Sequence, residues 1–253
     1  MKYFNYFFQF ILTITFFLMF KILGPKLSSN LSGKIFEKIG PLFRSKKIIH
    51  SNIKKAIPKI ENDYLIKLTN LMWNNYGRIF AEYIFIKDFR QGKLSSNIKI
   101  DGHEILDEIV KQNKQVIFVS GHLGNFELMA MYLEKTGVKL SAIYRPLNNI
   151  FLNPIMERIR KKYICKKQIK KGISGTKKLL EYFKLGSSIA LMVDQRVSEG
   201  IKCNFFGKEA LTTTIPAQFV KKFNCKIVPI YIERNKNDKF KLKIFEPIEF
   251  KEN

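Results

Sequence analysis

Hydrophobic and polar positions divide the chain into three stretches with different periods. In residues 3–20 no side chain is charged, and Phe, Ile and Leu dominate. As a helix this stretch spans about 27 Å, close to the roughly 30 Å hydrocarbon core of a bilayer. Farther on, Leu65, Leu68, Leu71, Met72, Tyr76, Ile79, Phe80 and Tyr83 recur at threes and fours, the mark of a helix with one buried face. After Gln91-Gly92 short apolar runs alternate with amphipathic segments. The runs predict strands at 98–100, 116–120, 140–144, 188–193, 227–232 and 240–245. The intervening segments predict helices at 104–111, 126–135, 154–162, 176–182 and 214–223. This order predicts an α/β fold: a mixed or mostly parallel sheet flanked by helices, preceded by an N-terminal membrane helix and a helical N-terminal region.

Breakers sharpen the divisions. Gly24-Pro25 and Gly40-Pro41 cut off a short helix, and Pro58 separates two longer ones. Residues 1–24 form an anchor and residues 25–253 the body, helical over 25–95 and α/β over 96–253. The first stretch admits three readings: a spanning helix, an interfacial helix lying in the bilayer surface, or a cleaved signal peptide. The last is weakest, because no small-x-small cleavage site follows. Gly77 stands inside a predicted helix, where glycine costs about 1 kcal/mol relative to alanine, so close packing against another element is expected there.

Charge adds a direction. The chain has 253 residues and a net charge of +24, with 45 Lys and Arg against 21 Asp and Glu. Such a surplus draws polyanions. No helix-turn-helix, zinc-finger or RNP pattern argues for nucleic acid. Lys21, Lys26, Lys34, Lys38, Arg44, Lys46 and Lys47 follow the apolar stretch against one acid, Glu37. By the positive-inside rule the body lies on the cytoplasmic side, where the same cluster meets anionic lipids of the membrane. Cys165, Cys203 and Cys225 are scattered and unpatterned, as expected of reduced thiols.

Chemistry concentrates where strands end. Val116-Ile117-Phe118-Val119 runs through a Ser120-Gly121 turn into His122-Leu123-Gly124-Asn125-Phe126-Glu127. A histidine at the carboxyl end of a strand sits where α/β folds place reactions, and imidazole exchanges protons near neutral pH. On a regular helix, residues five apart point roughly 140° away from each other. His122 and Glu127 therefore meet only if His122 lies in the turn before the helix, where Glu127 is expected to orient the imidazole. Glu127 is thus the expected partner of a general base. No Ser or Cys nucleophile accompanies them, so the attacking oxygen belongs to the substrate, which suggests acyl transfer to an alcohol. Backbone N–H groups near Gly124 and Asn125, at a helix start, are expected to face the oxyanion. Arg145, in Tyr144-Arg145-Pro146-Leu147-Asn148-Asn149, is read as either gripping a phosphate or pairing with Asp194 or Glu127. Asp194, in Asp194-Gln195-Arg196, is read as orienting a partner or as the other half of that pair. No metal-binding spacing is present. Phe205 and Phe206, before Gly207, are candidates for an acyl-chain path or for core.

Taken together, Gly121-His122-Leu123-Gly124-Asn125-Phe126-Glu127, Tyr144-Arg145-Pro146-Leu147-Asn148-Asn149, Asp194-Gln195, Phe205-Phe206-Gly207 and Thr212-Thr213-Thr214-Ile215-Pro216-Ala217 resemble the bacterial lipid A acyltransferases. Asn75-Tyr76-Gly77-Arg78 and the N-terminal anchor extend the resemblance over nearly the whole chain. The resemblance implies transfer of a fatty acyl group from an acyl carrier protein thioester to a hydroxyl of a lipid A precursor at the bacterial inner membrane. It implies His122 as general base with Glu127 as its partner, and less directly Arg145 and Asp194 as substrate-binding residues. A thioester is already activated, so no cofactor is expected; acyl carrier protein or coenzyme A carries the donor. Other readings are the same chemistry on another glycolipid or a glycerophospholipid, and a non-catalytic protein of the same fold that binds anionic lipid or nucleic acid.

Overall fold

A computed structural model describes residues 1–235 and 237–250. By internal contacts the chain forms two compact units. One comprises residues 1–11, residues 86–201 and the chain from Leu211 onward; the other comprises residues 12–85 and 202–210.

The first unit is an α/β sheet of seven strands. Its strands are β1 (Ile98–Asp101), β2 (Val116–Ser120), β3 (Leu140–Tyr144), β4 (Lys167–Lys170), β5 (Ser188–Met192), β8 (Lys226–Arg234) and β9 (Phe240–Ile244). They stand in the order β1-β9-β8-β2-β5-β3-β4, and every neighbouring pair is parallel except β8 and β9. Helices α5 (Ile86–Gln91), α6 (His103–Lys111), α7 (Glu127–Lys135), α8 (Leu152–Tyr163), α9 (Ile173–Lys184) and α10 (Ile215–Phe223) accompany it. The mostly parallel α/β sheet agrees with the fold class read from the sequence. Strand β2 lies between β8 and β5, and its Val116, Ile117 and Phe118 are all buried. A parallel strand covered on both faces is apolar at successive positions, without alternation. Beside it Ile117 packs with Ile169, Leu179, Phe183, Ile189 and Phe219. Two elements differ from the sequence reading. Strand β4, Lys-Gln-Ile-Lys, buries only Ile169 and lies at the sheet edge, so its pattern is too polar to announce a strand. Residues 201–212, outside every predicted strand and helix, form a separate two-stranded hairpin, β6 (Ile201–Phe205) and β7 (Lys208–Thr212).

The second unit is helical apart from the hairpin tip. It contains α2 (Pro25–Ile39), α3 (Lys46–Ala56) and α4 (Asn62–Glu82). Gly24, at φ 77°, and Pro25 at the first helical position start α2 after the break. The contact line of α4 is Leu65, Thr69, Trp73, Gly77 and Ala81, one residue every four. The stripe of large apolar residues overlaps it only in part: Leu65 and Tyr83 are buried and Phe80 packs on neighbouring phenylalanines, whereas Leu71 and Tyr76 are exposed. Small residues win the contact because α2 comes very close. Ser32 Oγ donates to Gly77 O at 2.7 Å, and a Cβ built on Gly77 would stand 2.3 Å from Ser32 O. Around that crossing several polar groups are paired: Ser29 Oγ donates to Glu82 Oε1 at 2.7 Å, Asn74 Nδ2 to Glu37 Oε1 at 2.6 Å, and Arg78 Nε to Asn74 Oδ1 at 2.7 Å. The Asn75-Tyr76-Gly77-Arg78 motif is thus part of a helix-to-helix joint.

The apolar N-terminal stretch is α1 (Lys2–Leu23), with a mean hydropathy of 1.9 over its best window and Phe20 as its one fully buried residue. Its length and composition suffice to cross a membrane. Within the α/β unit, Asn149 Nδ2 donates to Tyr6 O at 2.8 Å, and Phe7 and Phe10 meet Phe151 at 5.7 and 6.0 Å between ring centroids. Within the helical unit, Phe17 and Phe20 pack on Phe80.

The glycine at the α2–α4 crossing carries a prediction. Gly77→Ala drives a methyl group into the Ser32 carbonyl, so it destabilises by about 1–3 kcal/mol despite the better helix propensity of alanine. Chemical unfolding of the detergent-solubilised protein checks this; an unchanged or raised midpoint contradicts the close approach.

Candidate active site

Parallel strands in register bring their carboxyl ends to one level. Ser120 of β2 is paired with Met192 of β5, and Val193 N donates to Ser120 O at 2.9 Å. Two residues past each member of that pair come His122 and Asp194. They meet: His122 Nδ1 stands 2.8 Å from Asp194 Oδ1, and the His122 backbone N–H donates to Asp194 Oδ2 at 2.8 Å. One carboxylate thereby fixes both the ring and the backbone of His122. The imidazole edge also rests on Phe126, with ring centroids 4.8 Å apart and planes at 72°. The His122 side chain keeps 27% of its surface exposed and Asp194 40%, so the pair is open to a substrate.

The loop that carries His122 is shaped by two glycines. Leu123 N donates to Gly121 O at 2.8 Å, closing a tight turn. Gly121 lies against Asp194, whose Oδ2 would be 3.3 Å from a Cβ built there. Gly124 adopts φ 50°, and a Cβ on it would come within 2.8 Å of Ile232 O of β8. Only glycine lets the turn pass this close with that backbone conformation. Helix α7 then begins at Glu127.

Glu127 is not brought to His122. Its Oε1 accepts from Arg160 of α8, at 2.5 Å from Nη2 and 3.1 Å from Nε. Both side chains are largely buried, 10% exposed for Glu127 and 17% for Arg160. A buried carboxylate is costly without a cation and hydrogen bonds, and Arg160 supplies both. His122 does lie in the turn before the helix, as the five-residue spacing demanded. Yet the carboxylate at its ring comes from the neighbouring strand, 72 residues away. Arg160 also stacks its guanidinium 5.6 Å from the Tyr144 ring, tying the Glu127 pair to the end of β3. Tyr144 Oη donates to Glu157 Oε1 at 2.5 Å; burial and this bond hold the phenol above its usual value.

The remaining candidates are placed as follows. Arg145 follows β3 at the same carboxyl edge and is exposed; neither Asp194 nor Glu127 pairs with it, each having another partner. Asn125 is buried, with 1% of its surface exposed, so its side chain supports the loop from inside. Phe205 and Phe206 stand exposed at the hairpin turn. Cys165 is buried, and burial pushes its thiol up to about 12, which leaves it unreactive at neutral pH. Among the described residues no group of three or more His, Cys, Asp or Glu side chains is arranged to hold a metal ion. Sequence reasoning named His122 and Asp194 separately but missed Arg160. The sequence carried no sign that Glu127 pairs with it, since the partner lies 33 residues on, in another helix.

No individual curated protein matches the chain. The family model for bacterial lipid A biosynthesis acyltransferases matches residues 1–253, the whole of the sequence, and the chain belongs to that family, as an O-acyltransferase of lipid A biosynthesis.

Proposed function

We propose that His122 is the general base of acyl transfer and that Asp194 positions it. The observation that carries this reading is the double hold of Asp194 on the ring and the backbone N–H of His122 at an exposed sheet edge. With Nδ1–H donated to the carboxylate, the lone pair on Nε2 is left for the acceptor hydroxyl. The acceptor's oxygen attacks the thioester carbonyl carbon as Nε2 takes its proton. The resulting imidazolium is stabilised by Asp194. The tetrahedral intermediate then collapses, the carbon–sulfur bond breaks, and the departing thiolate takes the proton from Nε2. A positioned base contributes about 10²–10⁴-fold; orientation and oxyanion stabilisation supply the rest.

In this reading Glu127 acts at one remove. Its pair with Arg160 fastens the first turn of α7 to α8, which keeps the loop bearing His122 and Gly124 in place. Arg145, exposed and, among the described residues, without an internal acid at the end of β3, binds an anionic group of a substrate, for which a phosphate of the lipid A precursor fits a planar two-pronged donor. The donor is an acyl thioester on acyl carrier protein, whose acidic surface suits the +24 charge of this chain by electrostatic steering. The α1 helix anchors the enzyme in the inner membrane, with the positively charged body on the cytoplasmic side and in contact with anionic lipids.

Three outcomes follow. His122→Ala lowers kcat by about 10²–10⁴-fold without loss of folded protein, and lipid A from cells carrying only this variant lacks one secondary acyl chain by mass spectrometry. A normal lipid A mass would reject the base assignment. Asp194→Asn leaves the fold intact but lowers kcat by up to about 10⁴-fold, because the amide no longer fixes the tautomer. Glu127→Gln separates the two carboxylates. It removes the negative charge of the buried Glu127–Arg160 pair and lowers stability by about 3 kcal/mol, while the kcat of the fraction that folds falls far less than in Asp194→Asn. The reverse pattern, intact stability with kcat lost, would return the positioning role to Glu127.

A further inference from the structure

A second site of concentrated charge lies in the helical unit. Helix α3 places Lys47, His50, Ser51, Lys54 and Lys55 at the spacings of a single helix face. They line an open cleft of about 720 Å³, which Phe206 and Lys208 of the hairpin tip also line. The opposite face of α3 holds the buried Ile49. Among the described residues no carboxylate pairs with Lys47, Lys54, Lys55 or Lys208, and the nearby Glu209 of β7 is engaged by Lys202 at 3.1 Å. The helix also breaks a rule of its own stability. Its first turn contains no acid and begins Lys46-Lys47, so positive charge sits on the positive end of the helix dipole. Departures of this kind gather where a sequence serves a ligand rather than the fold.

The hairpin adds an apolar element to the same cleft. Phe206 and Gly207 connect β6 to β7, both with positive φ, 50° and 68°. A two-residue connection with two left-handed residues is the tight hairpin turn, and phenylalanine is a strained choice for it. Phe205 and Phe206 are each 62% exposed, their rings edge-to-face at 4.6 Å between centroids. The hairpin is not joined to the seven-stranded sheet, and an isolated two-stranded ribbon is marginal in water. Paired aromatic rings projecting beside unpaired lysines form the pattern of a surface that enters an anionic lipid interface.

We propose that this cleft docks the phosphate headgroup of an anionic phospholipid while Phe205 and Phe206 enter the interfacial layer of the bilayer. It is a lipid contact separate from the His122 chemistry and does not depend on which acyl acceptor the enzyme uses. The rings favour a bilayer over an acidic protein surface: such a surface would answer the lysines but would give two solvent-facing phenyl rings no apolar phase.

The test uses the full chain in lipid discs with a reporter at the tip. Phe206→Trp adds an emitter to the buried Trp73, and brominated lipids quench whichever indole reaches the bilayer. Discs containing brominated phosphatidylglycerol are expected to quench the added emission about twofold or more beyond discs of brominated phosphatidylcholine alone. Combining Lys54→Gln, Lys55→Gln and Lys208→Gln in the reporter chain is expected to erase that difference, and the corresponding arginine substitutions to retain it. Far-ultraviolet circular dichroism verifies that each variant is folded. Equal quenching in both kinds of disc, or none in either, overturns the proposal. So does binding of inorganic phosphate with no lipid quenching. If the glutamine substitutions weaken binding to acyl carrier protein while the quenching difference persists, the lysines serve a protein partner and the headgroup assignment fails.

Discussion

Asp194 binds His122 twice, through the imidazole Nδ1 and through the backbone N–H, each at 2.8 Å. This double contact requires two strands far apart in sequence to lie side by side, parallel, and in a register that puts Ser120 opposite Met192. A slip of one residue along β5 would turn the Asp194 side chain to the other face. The register is held by the apolar residues of β2 and β5, of which Ile117, Phe118 and Ile189 have no exposed surface. Core packing and site geometry are therefore one constraint. Gly121 completes it, because any larger residue would crowd the Asp194 carboxylate.

The sequence disclosed the fold more fully than the pairing within the site. Strands β2 and β3 matched their apolar runs residue for residue, since central parallel strands are apolar at successive positions. The edge strand β4 and the hairpin escaped notice because one buries a single residue and the other stands mostly exposed. His122 was legible from its place after a strand. Its carboxylate partner was not, because nearness in sequence favoured Glu127 whereas nearness in space depends on strand order. Periodicity does not reveal that β5 lies between β2 and β3. The contact face of α4 was legible in part. Large apolar residues marked a stripe that only overlaps it, while Gly77, which carries no hydrophobic signal, announced the close approach of α2 by standing inside a helix.

Two buried carboxylates, Glu82 and Glu127, sit where helices meet, and each has a dedicated partner. Glu127 has Arg160, and Glu82 has Ser29. Such pairs add little net stability compared with apolar residues of the same size, but losing one partner is expensive. They therefore act as keys that admit one arrangement of the helices. In the α/β unit the key sits at the first turn of α7, directly behind the loop that bears His122. In the proposed mechanism the chain thus separates two jobs that a single carboxylate could combine: Asp194 positions the base and Glu127 braces the scaffold.

The bond from Asn149 to the Tyr6 carbonyl, with the Phe151 ring set against Phe7 and Phe10, fastens the start of the apolar α1 helix to the segment following Arg145. Under the proposed anchoring of α1, this fastening sets the height of the sheet rim over the membrane. The proposed base then reaches acceptor hydroxyls at that height and not those of lipids riding higher or lower. Selection among hydroxyls of similar chemistry can then be a matter of elevation, set by the mooring of a helix that touches no reacting atom.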